Sequence, residues 1–172
     1  MDALQALMTR KSCRSFEDRQ VSDEDLKVIL DAGKQAATGG GKQPWKFVVV
    51  RNKEVRDKLS AMNAAVMGSD RDPFYGAPCV VVVLTERDRT TAVEDGACAI
   101  QNMMVAANAI GVGSCWIHRA YEEFESDEGK ALLKDWGISG DYRGVGHCIL
   151  GYPQGEMHPD VPRREGIEVF VD

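Results

Sequence analysis

The 172-residue sequence predicts a single domain over residues 1–172, of the α/β or α+β class, with one sheet covered by helices. Helical and strand-like segments alternate along most of the chain. Near its centre, residues 79–84 form an unbroken apolar run rich in valine, which suits a strand covered on both faces. Residues 91–110 form a helix with almost no polar face, which must be buried nearly all round. Alanines 97, 99, 106 and 107 would let another helix approach it closely. A second subunit is the expected cover, with burial inside one chain as the alternative.

Taken in order, the first helix is expected over residues 2–10, with Leu4, Leu7 and Met8 on one face. A basic break follows, Arg10-Lys11-Ser12-Cys13-Arg14. Ser22-Asp23-Glu24-Asp25 is a helix start, with a capping hydroxyl and three acids set against the helix dipole. Leu26, Ile29, Leu30 and Gly33 then fall at helical spacing, and this helix should end near Ala37. A glycine-rich loop over 38–44 leads into a strand over 45–50, and a short helix over 55–62 comes next. Residues 63–76 mix glycine, serine, aspartate and proline with Phe74 and Tyr75, which predicts a mobile loop or lid. After the central strand and helix come a strand at 113–118, a helix at 127–136 and a last core strand at 144–151. The tail from 152 onward carries Pro153, Pro159 and Pro162 and ends on a strand signal over 167–170. Having no core of its own, it should lie across a partner.

Hydrophobic residues make up 44% of the chain and charged residues 28%, as in ordinary globular proteins. The 21 basic and 27 acidic residues give a net charge of -6. That argues against nucleic acid or an anionic membrane surface as the main partner, because both need a basic face. No apolar run approaches the roughly 20 residues that cross a bilayer, and the first residues show no secretory pattern. Cysteines 13, 79, 98, 115 and 148 are scattered without a C-x-x-C pair, which predicts reduced thiols and a cytoplasmic protein. Cys79, Cys98 and Cys148 read as small core residues.

Three segments could carry chemistry. Arg10-Lys11-Ser12-Cys13-Arg14 offers two guanidiniums and a hydroxyl, enough to grip a phosphate, although such a stretch can equally be solvated surface. Residues 38–45 offer glycines that let the backbone approach a ligand, or simply a flexible loop. The loop is neither a P-loop nor a dinucleotide fingerprint. Gly111-Val112-Gly113-Ser114-Cys115-Trp116-Ile117-His118 is a glycine-rich entry to a strand against which a flat ring could rest, with Trp116 as plain core the alternative. Arg163-Arg164 could close a phosphate site or be basic surface. The histidines at 118, 147 and 158 have no metal-type spacing, and no G-x-S-x-G elbow is present. A thiol enzyme using Cys115 with His118 is a minor reading. Without a protein nucleophile, a metal or an obvious base, a bound cofactor is the expected agent.

In combination these segments resemble the nitroreductase family of flavoenzymes, in order along nearly the whole chain. Arg10-Lys11-Ser12-Cys13-Arg14-Ser15-Phe16 resembles the family's R-x-S-x-R-x-F box. Ala36-Ala37-Thr38-Gly39-Gly40-Gly41-Lys42-Gln43-Pro44-Trp45 is similar to its A-P-S-x-x-N-x-Q-P-W loop. Gln101-Asn102-Met103-Met104 sits in what resembles the central dimer helix. Gly111 to Ile117 resembles G-l-G-s-c-W-i, and Leu150-Gly151-Tyr152-Pro153 matches an L-G-Y-P strand exit. Two departures stand out. Gly41 replaces the loop's asparagine, with Ala37 and Thr38 replacing its proline and serine, and the chain is short for the family.

The resemblance implies an α+β fold, a mostly antiparallel central sheet flanked by helices, with the central helix buried at a homodimer interface. It implies FMN as cofactor, NADH or NADPH as electron donor, and a ping-pong reaction that reduces a nitroaromatic, quinone or similar small acceptor. The alternative is an FMN carrier or redox sensor without reductase turnover. Arg10, Lys11, Ser12 and Arg14 would then lie at the FMN phosphate, with Arg163 or Arg164 returning to it. Thr38, Gly39, Gly40, Gly41 and Gln43 would reach the flavin from the partner subunit. Trp116, Ile117 and His118 would lie beside the reactive edge of the ring, and Asn63 could also reach it.

Overall fold

Strand β2 (Cys79–Glu86) is the axis of the structure, buried at every residue through Thr85. The computed structural model describes residues 1–155 and 161–171. Around β2 lie β1 (Trp45–Val50), β3 (Gly113–Ile117) and β4 (Tyr142–Gly151), in the order β1-β2-β4-β3. All three strand pairings are antiparallel. That decides between the two classes open on periodicity alone. The fold is α+β.

Alternation along β2 explains the two cores. Val80, Val82 and Leu84 point to one face, where they meet Leu59, Phe74 and Phe124. Cys79, Val81 and Val83 point to the other, where they meet Ile29, Ile100 and Met103. The first face is covered by α3 (Lys53–Met67), α5 (Ala120–Glu125) and α6 (Asp127–Asp135), the second by α2 (Asp23–Lys34) and α4 (Ala92–Ala109). Helix α1 (Ala3–Thr9) packs on α4, burying Ala6 and leaving Leu4, Leu7 and Met8 exposed. A strand flanked by helices on both sides has no polar face to show, which is why β2 reads as a continuous apolar run.

Helix α2 starts where the sequence places it, with the Ser22 hydroxyl accepting from Asp25 N at 3.1 Å. It stops at Lys34, before the expected Ala37. Helix α3 differs more. It runs to Met67 rather than stopping at 62, and Gly68 closes it in the left-handed conformation at φ 66°. Nothing between Asn63 and Met67 breaks a helix, and the first residue suited to a left-handed cap is that glycine.

The loop that follows is not a free lid. Asp72 accepts from Ser60 Oγ, Phe74 N, Gly76 N and the Arg56 guanidinium, and Phe74 is fully buried in the core. Helix α5 has no counterpart among the expected elements. The strand signal over 167–170 also fails: those residues are exposed and outside the sheet. Cys98, expected in the core, lies on the exposed face of α4 with Glu94 and Gln101, so one chain leaves that helix only partly covered. Cys79 and Cys148 are core residues, and burial pushes the Cys79 thiol up to about 12 and that of Cys148 higher still.

Asp72 yields a pH-dependent prediction. Burial pushes its carboxyl up, but hydrogen bonds from Ser60, Arg56, Gly76 and Phe74 together outweigh burial and hold it below its usual value. A depressed carboxylate stabilises the fold above its unfolded value near about 4. That stability is lost as pH falls through the lower folded value. Asp72→Asn should therefore cost about 1–2 kcal/mol near pH 7, with the gap to wild type closing below about pH 4. Urea unfolding at several pH values measures it, and a gap that widens on acidification would contradict the assignment.

Candidate functional site

Strand β3 lies at the edge of the sheet and ends at Ile117, and beyond it the chain opens into a cavity of about 570 Å³. Trp116 and Ile117 give that cavity an apolar wall, and Arg14, Arg71 and Arg119 bring positive charge to it. The basic segment is held against the strand by a parallel bridge between Ser12 and Ser114 and by Cys13 N donating to Ser114 O at 2.8 Å. The approach is close enough to demand glycine at 113, where a Cβ would meet Cys13 Sγ at 2.8 Å. Arg14 is exposed, its guanidinium 5.7 Å from the centre of the Tyr75 ring. Arg10 caps the end of α1, and Arg10, Lys11 and Ser12 are all half-buried beside the strand.

Behind the wall lies a cluster that sequence reasoning did not find. His147 on β4 is fully buried and its Nε2 donates to both oxygens of Glu123 at 3.0 and 3.1 Å. The same carboxylate accepts from the Asn63 amide, which also donates to His118 O at 2.8 Å. Asn63 Oδ1 in turn accepts from Arg119 Nε at 2.9 Å. Asn63 is 0% exposed, so its side chain holds the wall instead of reaching a ligand in the cavity. His147 Nδ1 is buried without a hydrogen-bond partner among the described residues. The signal was weak because Ala120-Tyr121-Glu122-Glu123 reads as a polar surface turn.

The loop from 38 to 43 is placed elsewhere. Gly39 N donates to Asp95 Oδ1 at 2.9 Å, and a Cβ at Gly39 would lie 2.3 Å from Thr91 Oγ1, so the loop is tied to the start of α4. Thr38 Oγ1 accepts from Gln43 N, and Gly40, Gly41 and Gln43 all adopt left-handed backbone. None of these residues lines the cavity beside β3. Arg163 and Arg164 lie exposed in the tail and make no hydrogen bond or ion pair among the described residues. His158 is outside the described residues. The structure thus brings Arg14, Trp116, Ile117 and His118 into one cavity and leaves the glycine loop and the tail arginines apart from it.

A thiol site is not assembled. Cys115 is 3% exposed, its Sγ pointing to Trp116 O at 3.6 Å, and no contact joins it to His118. Among the described residues no cluster of histidine, cysteine and carboxylate could hold a metal ion. No helix among them is long and apolar enough to cross a membrane.

An antiparallel α+β sheet with a cavity at an edge-strand exit and a basic segment held beside it is an arrangement suited to binding a cofactor. The chain belongs to the nitroreductase family, whose model matches residues 7–73 and 65–152. A relative in Archaeoglobus fulgidus, named among the NADH dehydrogenase/NAD(P)H nitroreductases, is 34% identical over 158 residues, 90% of this chain and 87% of that one. A nitroreductase of Bacteroides fragilis solved with bound FMN superposes with a TM-score of 0.91 at 28% identity, covering 100% of both chains. Another from Desulfitobacterium hafniense, also with bound FMN, gives 0.86 at 27% identity and covers 99% of each.

The buried cluster should be costly to break. Glu123→Ala would leave Asn63 and His147 buried without their carboxylate, and should lower stability by about 2–4 kcal/mol. Glu123→Gln, which keeps one acceptor oxygen, should lose less. An unfolding midpoint for Glu123→Ala equal to wild type would show that the cluster does not hold these elements together.

Proposed function

We propose that the chain is an FMN-dependent oxidoreductase that takes electrons from NADH or NADPH and gives them to a nitroaromatic, quinone or similar small acceptor. The observation that carries the reading is the cavity beside Trp116 and Ile117, with Arg14 at its edge, in a chain of this family. Its donor set fits FMN: a flat apolar wall suits the ring, and guanidiniums suit the phosphate. Bound FMN supplies the hydride chemistry, so the protein's own part is position and charge.

Arg10, Ser12 and Arg14 hold the phosphate, with Lys11 beside them and Arg163 or Arg164 closing the site. Trp116 and Ile117 bear on the ring, and the backbone near Ile117 and His118 orients its reactive edge. Asn63 keeps that backbone in place through its bond to His118 O. Donor and acceptor use the same cavity in turn, which is a ping-pong scheme.

The working unit is a homodimer. Leu4, Leu7 and Met8 of α1 are 75, 53 and 81% exposed, and Val93 and Cys98 of α4 are exposed as well. Exposed apolar residues on two packed helices favour a subunit interface. Docking there would let the Thr38, Gly39, Gly40, Gly41 and Gln43 loop of one chain, and its tail arginines, serve the cavity of the other.

The test combines turnover with retention of cofactor. Purified protein loaded with FMN should oxidise NADH or NADPH when menadione is added. Arg10→Ala with Arg14→Ala should lower FMN retention at least about tenfold, as loss of charged hydrogen bonds to a phosphate requires. Unchanged flavin content in the double variant would remove the phosphate assignment. A flavin-loaded protein that does not turn over with menadione would be a carrier or sensor, and the reductase reading would fail.

A further inference from the structure

Arg119 is built into the cavity at some cost. Its backbone sits in the left-handed region at φ 76°, where a side chain with a Cβ is uncommon and strained. It nonetheless holds a half-buried position between Ile117 and α5. The guanidinium is aimed by a fixed partner, because Nε donates to Asn63, which is itself locked by Glu123 and His118. Only Nε is engaged. Among the described residues the two terminal nitrogens meet no acceptor and Arg119 has no carboxylate partner.

The surroundings do not neutralise it. Arg14 and Arg71 line the same cavity. The one carboxylate lining it among the described residues, Asp72, is occupied by Arg56, Ser60 and two backbone N–H groups. The chain carries a net charge of -6, so a pocket holding three arginines is a local exception to a field that repels anions. A half-buried guanidinium with both terminal nitrogens open and its stem clamped matches a planar carboxylate, which it can meet with two parallel hydrogen bonds.

We infer that Arg119 is a specificity-determining residue that binds an anionic group, in particular a carboxylate, on the electron acceptor. The inference rests on the reductase reading and adds the acceptor's class to it: a flat electron acceptor bearing a carboxylate. Asn63 is the positioning residue, acting only through Arg119 and His118. Glu123 and His147 fix Asn63 in turn.

The experiment uses the FMN-loaded protein and two acceptors of similar shape, 4-nitrobenzoate and 4-nitrobenzamide. The readout is the ratio of kcat/KM for the acid to that for the amide, compared between wild type and Arg119→Asn. Asparagine tolerates the left-handed backbone and removes the charge. The ratio should fall by about tenfold or more, the loss expected when a charged hydrogen-bonded pair is removed from a half-buried site. Arg119→Lys, which keeps the charge without the fork, should fall between the two.

An unchanged ratio in Arg119→Asn overturns the inference while leaving the reductase reading intact. So does a variant that loses FMN, since Arg119 would then belong to the cofactor's phosphate. A rise in KM for NADH and NADPH with the acceptor ratio unchanged would assign the arginine to the donor's phosphates, and that also overturns it. A wild-type protein that retains FMN but reduces neither acceptor nor menadione overturns both readings together.

Discussion

The carboxylate of Glu123 is the constraint on which the site depends. A charge with no exposure is tolerated only when several partners converge on it, because its desolvation must be offset by hydrogen bonds of good geometry. Those partners come from α3, through Asn63, and from β4, through His147, while the glutamate itself belongs to α5. Three elements distant in sequence are thereby obliged to meet behind the end of β3. Their meeting point is one hydrogen bond from the backbone at His118 and one from the side chain of Arg119. The cavity wall is held from behind by this buried polar cluster, through His118 and Arg119, more than by the loop that forms it.

The rest of the chain divides into what one subunit completes and what it leaves open. The sheet, both cores and the apolar wall are complete within a single chain. Among the described residues, the exposed faces of α1 and α4, the glycine loop at the start of α4 and the tail do not line the cavity of the same chain. They are the parts that the proposed homodimer would bring into use. The positive φ of Gly40 and Gly41 shows a loop shaped by its backbone, which suits close approach to something outside this chain. Gly41 has nothing within 4 Å of where a Cβ would stand. Its conformation, more than any crowding, favours glycine there.

Much of this was legible in the amino-acid sequence. The valine run of β2, the serine cap of α2 and the apolar α4 each announce themselves through short-range rules that tertiary context does not override. The segment Arg10 to Arg14 and the strand ending at Ile117 stood out as candidates, and the Ser12–Ser114 bridge joins them. Illegible were the features that exist only through contact. Asn63 looked like the start of a loop because a helix end at Gly68 differs little, residue by residue, from one at 62. Glu123 looked like surface because no local pattern marks a glutamate whose histidine lies 24 residues away. Arg119 carried no motif at all, and its left-handed backbone is invisible without coordinates. The tail misled for the opposite reason: Ile167 to Phe170 has strand composition, but no strand among the described residues pairs with it.

In the proposed function one chain presents a flavin cavity and a second copy completes it. The visible absorption spectrum of the wild-type protein, taken after adding FMN and desalting on a column that also reports molar mass, tests both halves at once. The protein should elute as a yellow species at the mass of a dimer, with about one FMN retained per chain and the two bands of an oxidised flavin. A colourless protein that releases all added FMN would contradict it, and the arginines beside β3 would return to being solvated surface.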